Sequence, residues 1–381
     1  MSTELSRETI AAQAGGSIEP ETGAIIPPIH ISTTFERDAD NHNRRGYSYG
    51  RPDNATVRQV EAIMTQLEGG AASLLFASGM SAATALFLAL ERPAHVVAPA
   101  VMYWGMRKWL LTEAPAFGIE TSLVDASDLH AIAGAIRPGL TRLVWLETPA
   151  NPLWTISDIA GASRLAHAAG AVLAVDSTVA TPVLCNPLAL GADAVMHSAT
   201  KYLNGHTDVV AGTLTFAANG PLAARASTLR SAFGTILAPY AAAQLMRGLR
   251  TLFVRVRHQC ATAEALAVHF NGHPHIERVL YPGLARDPGH ELAKRQMKGG
   301  FGGMLSIRVK GGESAAIATA AKVKVWKRAT SLGGVESLVE HRASVEGPLT
   351  PCPPDLLRLS VGLEAPADLI ADLEQALVAT V

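Results

Sequence analysis

Lys201 is the residue whose surroundings point most directly to chemistry. Lysine is scarce here: the chain has eight lysines, and Lys201 is the only one between residues 109 and 293. It follows the apolar segment ADAVMH, and Ser198 and Thr200 stand beside it. A surface lysine is the ordinary interpretation. A lysine removed from water, however, has a lowered pKa and can form a Schiff base with an aldehyde, and the neighbouring hydroxyls could bind a phosphate.

Three other polar features stand where predicted strands end. The turn Ser78-Gly79-Met80 follows LLFA and precedes a helix, whose first N–H groups favour a phosphate. Asp176 follows the apolar segment AVLAV, where a helix cap or a cationic partner would account for a buried carboxylate. Asn151 is presented between two prolines in TPANP. Because open parallel sheets bind ligands beyond the carboxyl ends of their strands, we expect these groups to lie together.

Pyridoxal phosphate (PLP) is the cofactor that this combination of groups suits. It needs a lysine for its aldehyde, an acid that keeps its pyridine nitrogen protonated, and a cradle for its phosphate. Lys201, Asp176 and the turn at residues 78–80 supply one group of each kind. The residues therefore predict a PLP site.

The composition excludes several classes of protein. With 381 residues the chain can form about two or three domains, and its low charged share of 17% argues against intrinsic disorder. A net charge of −1 gives no support for nucleic acid or an anionic membrane as a partner. The three cysteines are widely spaced and odd in number, and the N-terminal segment lacks the apolar part of a secretory signal. We therefore expect a cytoplasmic protein.

Residues 69–90 form a stretch that is long enough to suggest a membrane span. It has twenty-two residues without a charge, but it contains several glycines and hydroxyl residues, and the chain has no second stretch of this kind. We interpret it as a buried strand, a turn and a helix, and we expect no membrane partner.

The apolar pattern predicts an α/β protein. A helix begins after Asn54 and ends at Gly69. From about residue 72 to 216, short apolar runs alternate with helical segments, which is typical of a mostly parallel sheet with helices on both faces. The strand candidates are residues 73–77, 95–99, 120–124, 142–147, 171–175, 192–197 and 209–216.

The pattern changes near residue 245 and divides the chain. A long helix over 251–270, strands at 304–309 and 356–361 and a last helix near 366–379 predict a smaller α+β domain. Residues 1–50 lack periodicity and are expected to form an extended arm that contacts a neighbouring subunit. The predicted units are therefore the arm 1–50, a large PLP-binding domain 51–245 and a C-terminal domain 246–381.

A series of segments resembles the Cys/Met-metabolism PLP-dependent enzymes, the trans-sulfuration family. In the family's order the segments are YGRPDNAT, QLEGG, FASGM, ETPANP, DSTVATP, HSATKYLNGHTDVVAG, RGLRTL, ATSLGGVESLVEH and LLRLSVGLE. They extend from about residue 24 to residue 375. The resemblance implies the PLP-dependent transferase fold of type I (aspartate-aminotransferase-like), with a large sheet domain and a smaller C-terminal domain.

The resemblance also implies how the cofactor is bound. Lys201 would carry PLP as a covalent Schiff base, Asp176 would pair with the pyridine nitrogen, and Tyr103 would stack on the ring. The residues expected near the phosphate are Ser78, Gly79, Met80, Ser198 and Thr200, together with Tyr49 and Arg51 from a neighbouring subunit.

Further residues are implied for the substrate and for proton transfer. Arg358 would bind the substrate carboxylate, and Asn151 and Ser331 would line the same region. Lys201 would remove the Cα proton, and Tyr103 or Tyr49 would assist proton transfer.

The activity implied by the resemblance is the making or breaking of a C–S bond in a sulfur amino acid such as cystathionine. We expect a lyase that acts by Cα deprotonation and β- or γ-elimination, in methionine biosynthesis or cysteine metabolism. The alternative is a cystathionine γ-synthase or sulfhydrylase that performs γ-replacement on an O-acyl-homoserine. Thr330 stands where γ-enzymes for cystathionine often have glutamate, and Leu332 where β-lyases often have tryptophan. We expect a homodimer or homotetramer with shared active sites.

Other hypotheses fit the residues less well. An aminotransferase would share the fold and the lysine, but not the SATKYLNGH and SLGGVESL context. A PLP-binding protein without turnover would not need Lys201, Tyr103, Asp176 and Arg358 together. We expect no metal site. The nearest pair of histidines, His273 and His275, is separated by a proline, which suggests a surface loop.

The sequence predicts which lysine holds the cofactor. Borohydride reduction of the purified protein should bleach its yellow colour and leave PLP attached to the peptide that contains Lys201, because reduction makes a Schiff base permanent. Peptide mass spectrometry checks this, and the other seven lysines serve as internal controls. An unmodified Lys201 peptide would contradict the assignment.

Overall fold

Two β-sheets carry the framework of the protein. The structure, a computed structural model, describes residues 5–347 and 351–378. Residues 1–4 of the predicted arm, residues 348–350 and the last residues 379–381, including the end of the helix predicted near 366–379, lie outside the described residues.

The strands in the described residues are β1 Ala72–Phe76, β2 Ala94–Pro99, β3 Ile119–Val124, β4 Thr141–Glu147, β5 Val172–Asp176, β6 Ala194–His197, β7 Gly212–Phe216, β8 Ile276–Leu280, β9 Met304–Val309, β10 Lys327–Arg328, β11 Leu338–His341 and β12 Leu356–Ser360. The α-helices are α1 Arg7–Ala12, α2 Ala55–Glu68, α3 Gly79–Ala89, α4 Trp104–Thr112, α5 Leu129–Ala135, α6 Ile159–Ala168, α7 Thr181–Leu184, α8 Pro221–Phe233, α9 Pro239–Leu249, α10 Leu252–Phe270, α11 His290–Gln296, α12 Gly312–Lys322, α13 Arg342–Glu346 and α14 Pro366–Val378. Short 3₁₀ helices cover Ala14–Gly16, Ala114–Phe117 and Pro187–Leu190.

The first sheet has seven strands in the order β1-β7-β6-β5-β4-β2-β3. β7 runs antiparallel to both of its neighbours, and the other pairs are parallel, which confirms the prediction of a mostly parallel sheet. Alternate residues of one strand enter two different cores: Val144 packs with α2 and α6, whereas Leu143 and Trp145 pack with α3 and α4. Both faces are therefore covered by helices, which explains the continuous apolar runs of these strands.

The strand predicted over residues 209–216 is shorter in the structure. Ala211 donates its N–H to Thr200 Oγ1 at 3.0 Å, and its carbonyl oxygen accepts from the Thr200 N–H at 3.2 Å. Because Thr200 occupies these backbone groups, pairing of β7 with the sheet begins only at Gly212. Ala211, which lies in the predicted strand but outside β7, instead anchors the loop that carries Lys201.

The second sheet has the order β10-β11-β12-β9-β8 and is antiparallel except for the pair β10 and β11. It packs against α10, α12 and α14, in agreement with the expected α+β character. β9 and β12 match the predicted strands, whereas β8, β10 and β11 were not predicted. The borders at residues 50/51 and 245/246 stay a prediction.

The N-terminal arm is partly helical, contrary to the extended arm that we predicted. α1 is capped by Ser6, whose hydroxyl accepts from the Thr9 N–H at 3.3 Å, and Ala11 and Ala14 are buried in the core around α2. A helix of six residues is too short to leave a periodic signal. The stretch 69–90 forms β1, a turn and α3 as predicted, and no described helix is long and apolar enough to cross a membrane.

Candidate active site

A cavity of about 230 Å³ opens at the carboxyl ends of the parallel strands. The predicted residues that line it are Ser78, Gly79, Met80, Tyr103, Asn151, Asp176, Ser198, Thr200 and Lys201. Ser331 and Arg358 reach the same place from the second sheet, through hydrogen bonds to Lys201 and Asn151. Sequence motifs that are far apart along the chain thus meet around one cavity.

The turn before α3 is built to approach the loop of Lys201 closely. Ser78 is the N-cap of α3 and accepts from the Ser81 N–H at 3.0 Å. A side chain at Gly79 would meet Ser198, since an added Cβ would lie 2.8 Å from the Ser198 Cβ. The start of α3, with its free N–H groups and positive dipole end, is therefore packed against Ser198.

Lys201 lies between the two sheets. Its Nζ donates to Ser331 Oγ at 2.8 Å. Burial and the nearby Arg358 charge lower the pKa of Lys201 to about 8. Ser331 has a positive φ of 113°, which is unfavourable for a residue with a side chain, so the surrounding structure holds it in place. The amine is thus positioned, and it loses its proton more readily than an ordinary lysine.

Asp176 has no cationic side chain in an ion pair among the residues that the structure describes, contrary to the protein partner that we considered. Its Oδ1 accepts from the Thr178 N–H at 3.0 Å and from Thr178 Oγ1 at 2.5 Å. Burial raises the pKa of Asp176, and these hydrogen bonds oppose the rise. The carboxylate is oriented by Thr178 but remains available to a cation that residues 5–347 and 351–378 do not supply in an ion pair.

Glu147 is a residue of the site that the sequence analysis did not single out. It ends β4 beside Asp176 in the sheet register and lines the cavity. It accepts from the Tyr103 N–H at 2.7 Å and from the Asn151 N–H at 2.9 Å. Burial, followed by the Asp176 charge, raises the pKa of Glu147 to about 8. The signal that could have found it is the one that marked Asp176: an acid that ends an apolar strand.

Tyr103 and Arg358 are both connected to Asn151, Tyr103 through Glu147 and Arg358 by a direct hydrogen bond. The Tyr103 ring folds over Gly105, where an added Cβ would lie 2.8 Å from the ring. Burial raises the pKa of Tyr103, and the Arg342 charge opposes the rise.

Arg358 donates from Nη1 to Asn151 Oδ1 at 3.1 Å and from Nη2 to the Ser331 carbonyl oxygen at 2.9 Å. Burial, followed by the Arg342 charge, lowers the pKa of Arg358 to about 10, so the guanidinium stays charged at neutral pH.

Tyr49 and Arg51 do not line this cavity. Arg51 donates from Nη1 to the Ser231 carbonyl oxygen at 2.7 Å, and Tyr49 is exposed. Their predicted contact with the phosphate of a neighbouring subunit stays a prediction.

Comparison with known proteins places the chain among well-described relatives. The family model described as Cys/Met metabolism PLP-dependent enzyme matches residues 8–378. The cystathionine gamma-synthase of Mycobacterium tuberculosis is 43% identical over 375 residues, covering 97% of this chain and 96% of the relative. The cystathionine gamma-lyase of Dictyostelium discoideum is 39% identical over 377 residues, covering 97% of each. The crystal structure of cystathionine gamma synthase from Xanthomonas oryzae pv. oryzae in complex with cystathionine superposes with a TM-score of 0.95 at 36% identity and covers both chains fully.

The lowered pKa of Lys201 predicts a pH dependence of cofactor capture. In protein freed of PLP, the rate at which Lys201 captures added PLP should rise as the pH increases through about 8, because only the neutral amine attacks an aldehyde. Stopped-flow absorbance measures this rate. Glu147→Gln removes the other group with a pKa of about 8 and should leave the midpoint in place. A midpoint near 10.5, the ordinary lysine value, would contradict the burial of this amine.

Proposed function

The chain belongs to the family of Cys/Met metabolism PLP-dependent enzymes, and we propose that it breaks or makes the C–S bond of a sulfur amino acid such as cystathionine. The observation that carries the proposal is Lys201, a partly buried amine with a lowered pKa, which donates to Ser331 and senses the charge of the Arg358 guanidinium. An amino-acid substrate needs partners for its carboxylate and for its Cα proton. In this proposal, Arg358 is the partner of the carboxylate and Lys201 is the partner of the Cα proton.

The residues of the cavity fit PLP. Asp176 offers the pyridinium nitrogen a partly buried carboxylate, which the described residues leave without a cation in an ion pair, and Tyr103 offers a ring to stack on the cofactor. The turn at residues 78–80, with Ser198 and Thr200, offers N–H and hydroxyl groups to the phosphate. When bound on Lys201, PLP supplies an aldehyde for the substrate amine and a ring that accepts the electrons released at Cα.

Arg358 and Asn151 orient the substrate. Arg358 binds the α-carboxylate by charge-assisted hydrogen bonds, and Asn151, held by Glu147, fixes the orientation of the guanidinium. Ser331 lines the same region and keeps the Lys201 amine in place. Anchoring the carboxylate on one side and the amine on the other sets the direction of the Cα–H bond, which is a positioning effect.

Lys201 then acts as the base. Its lowered pKa allows a neutral amine near neutral pH, which removes the Cα proton and can return it at Cγ or to the leaving group. Tyr103, whose pKa is raised by burial, is a proton donor at the same cavity, and Tyr49 of a neighbouring subunit is a second candidate. Loss of a thiolate from Cβ completes a β-elimination, whereas loss of a thiolate from Cγ requires a second proton removal, at Cβ.

Elimination is the primary proposal, because it needs a single amino-acid substrate whose carboxylate and Cα proton have partners in the cavity. The second candidate is γ-replacement, in which a thiol displaces the acyl group of an O-acyl-homoserine. It is favoured by the more similar of the two curated relatives, which is named a cystathionine gamma-synthase. Both reactions begin with the same proton removal by Lys201.

Self-association is supported by apolar side chains that a monomer would expose. The arm carries five exposed isoleucines, which are Ile18, Ile25, Ile26, Ile29 and Ile31. A row of such residues is typical of a surface that another chain covers. We propose a homodimer or homotetramer in which the arm lies on the neighbour and Tyr49 and Arg51 complete its phosphate site.

A cytoplasmic location is supported by three free, buried cysteines.

Product analysis with L-cystathionine separates the reactions. Pyruvate with homocysteine is expected of β-elimination, and 2-oxobutyrate with cysteine of γ-elimination, both identified by mass spectrometry. Lys201→Ala should abolish either reaction while the fold remains. If no keto acid forms but O-acyl-homoserine and cysteine yield cystathionine, the primary proposal fails and γ-replacement takes its place.

Mixed subunits test whether active sites are shared. Arg51→Ala should weaken PLP binding, whereas Arg45→Ala, which replaces an exposed arginine of the arm six residues earlier, should not. In hybrids of Arg51→Ala with Lys201→Ala subunits, activity should recover, because one site receives both intact residues. Hybrids as inactive as their parents would contradict a contribution from the neighbouring subunit.

A further inference from the structure

A row of four alternating charges lies buried behind the substrate side of the cavity. It consists of Glu346, Arg342, Glu340 and Arg358, and we call it the charge row. Arg358 donates from Nη2 to Glu340 Oε2 at 2.5 Å, and Arg342 donates from Nη1 to the same oxygen at 2.7 Å. Arg342 also donates from Nη2 to Glu346 Oε1 at 2.6 Å. The four side chains are each at most 7% exposed.

Buried ion pairs of this kind are weak evidence for stability. Removing two charges from water costs about as much free energy as their attraction returns, and apolar residues of similar size often fold as well. Arg342 and Glu346 lie one turn apart on α13, and Glu340 faces Arg358 across the β11–β12 pair. A row that ends on a substrate-binding arginine therefore suggests a role beyond holding these elements together.

The hydrogen bonds of Glu340 hold it rigidly. Thr330 donates from Oγ1 to Glu340 Oε1 at 2.7 Å, and the other oxygen receives both arginines. Burial raises the pKa of Glu340, but the Arg358 and Arg342 charges outweigh it and hold that pKa below the usual value. Glu340 is therefore an ionised carboxylate with a single orientation.

The hydrogen bonds of Arg358 show what remains for a substrate. Among the described residues, Nη2 serves Glu340 and the Ser331 carbonyl oxygen, and Nη1 serves Asn151. These contacts use three of the five N–H groups of a guanidinium. The remaining N–H groups are left for a carboxylate.

We propose that Glu340 and Arg342 are positioning residues for carboxylate recognition by Arg358. Glu340 fixes the orientation of the guanidinium. Arg342 shares the negative charge of Glu340, so that Arg358 is not neutralised before the substrate arrives, and Glu346 in turn balances Arg342. The inference rests on the proposed function, in which Arg358 binds the substrate α-carboxylate.

The test compares two ligands that differ only in the carboxylate. L-Norleucine has an amine and a carboxylate but no leaving group, and pentylamine is the same molecule without the carboxylate. Each is titrated into PLP-loaded enzyme and followed by the absorbance of the cofactor. Glu340→Gln should lower the affinity for norleucine on the order of tenfold, the scale of one charge-assisted hydrogen bond. The affinity for pentylamine should stay within about twofold of the wild-type value.

Matched variants separate positioning from a general structural effect. Asp355→Asn breaks the Arg308–Asp355 ion pair next to β12 and should leave the affinity for both ligands unchanged. Glu340→Asp keeps the charge and should recover part of the norleucine affinity. The double variant Arg342→Gln/Glu346→Gln leaves Arg358 alone with Glu340 and should also weaken norleucine selectively. It tests the proposal even if Glu340→Gln does not fold.

The outcomes are distinct. A norleucine-to-pentylamine affinity ratio that stays at the wild-type value in Glu340→Gln and in the double variant would overturn the proposal while leaving the proposed function intact. If the wild-type absorbance responds to neither ligand, both the amino-acid site and the positioning role are wrong. In steady state, we expect Glu340→Gln to raise KM for the amino acid on the order of tenfold with a smaller change in kcat.

Discussion

The site depends on two acids that stand side by side at the carboxyl ends of β4 and β5, Glu147 buried and Asp176 partly buried. In the described part of the chain, neither Asp176 nor Glu147 forms an ion pair, and burial raises the pKa of both. Glu147 meets this constraint by accepting the N–H groups of Tyr103 and Asn151, which places both side chains at the cavity. Asp176 is left for a cation from outside. A cofactor with a protonated ring nitrogen would offset the free-energy cost of keeping the Asp176 carboxylate away from water without a cation.

The second sheet completes the cavity from the opposite side. Ser331 accepts a hydrogen bond from the Lys201 amine on its side chain and one from Arg358 on its backbone carbonyl, so one residue with a strained backbone connects the proposed base to the proposed carboxylate-binding group. Arg358 also contributes to the lowered pKa of Lys201. In the proposed mechanism, a substrate carboxylate bound to Arg358 would therefore act on the electrostatics of Lys201 as well as on the position of Cα.

The charge row extends this electrostatic coupling away from the cavity. Within the row, burial and the Arg342 charge lower the pKa of Arg358, and the Glu340 and Glu346 charges oppose that change. Thr330 belongs to the same arrangement, because its hydroxyl donates to Glu340. The position that differs from many γ-enzymes is thereby connected to Glu340, the residue that we propose to position Arg358.

The sequence by itself determined the parallel sheet and the cofactor class, and it predicted the cofactor lysine, because each depends on a local pattern: apolar runs, a glycine turn before a helix, and a lysine after a strand. It did not determine which side chains share a hydrogen bond. The contact of Lys201 with Ser331, the place of Glu147 and the convergence of Arg342 and Arg358 on Glu340 join residues brought together by strand register and by the meeting of two sheets. Even the length of β7 was decided in three dimensions, since Thr200 competes with the sheet for the backbone of Ala211. Such contacts depend on which groups burial leaves without water, and only the tertiary structure specifies that.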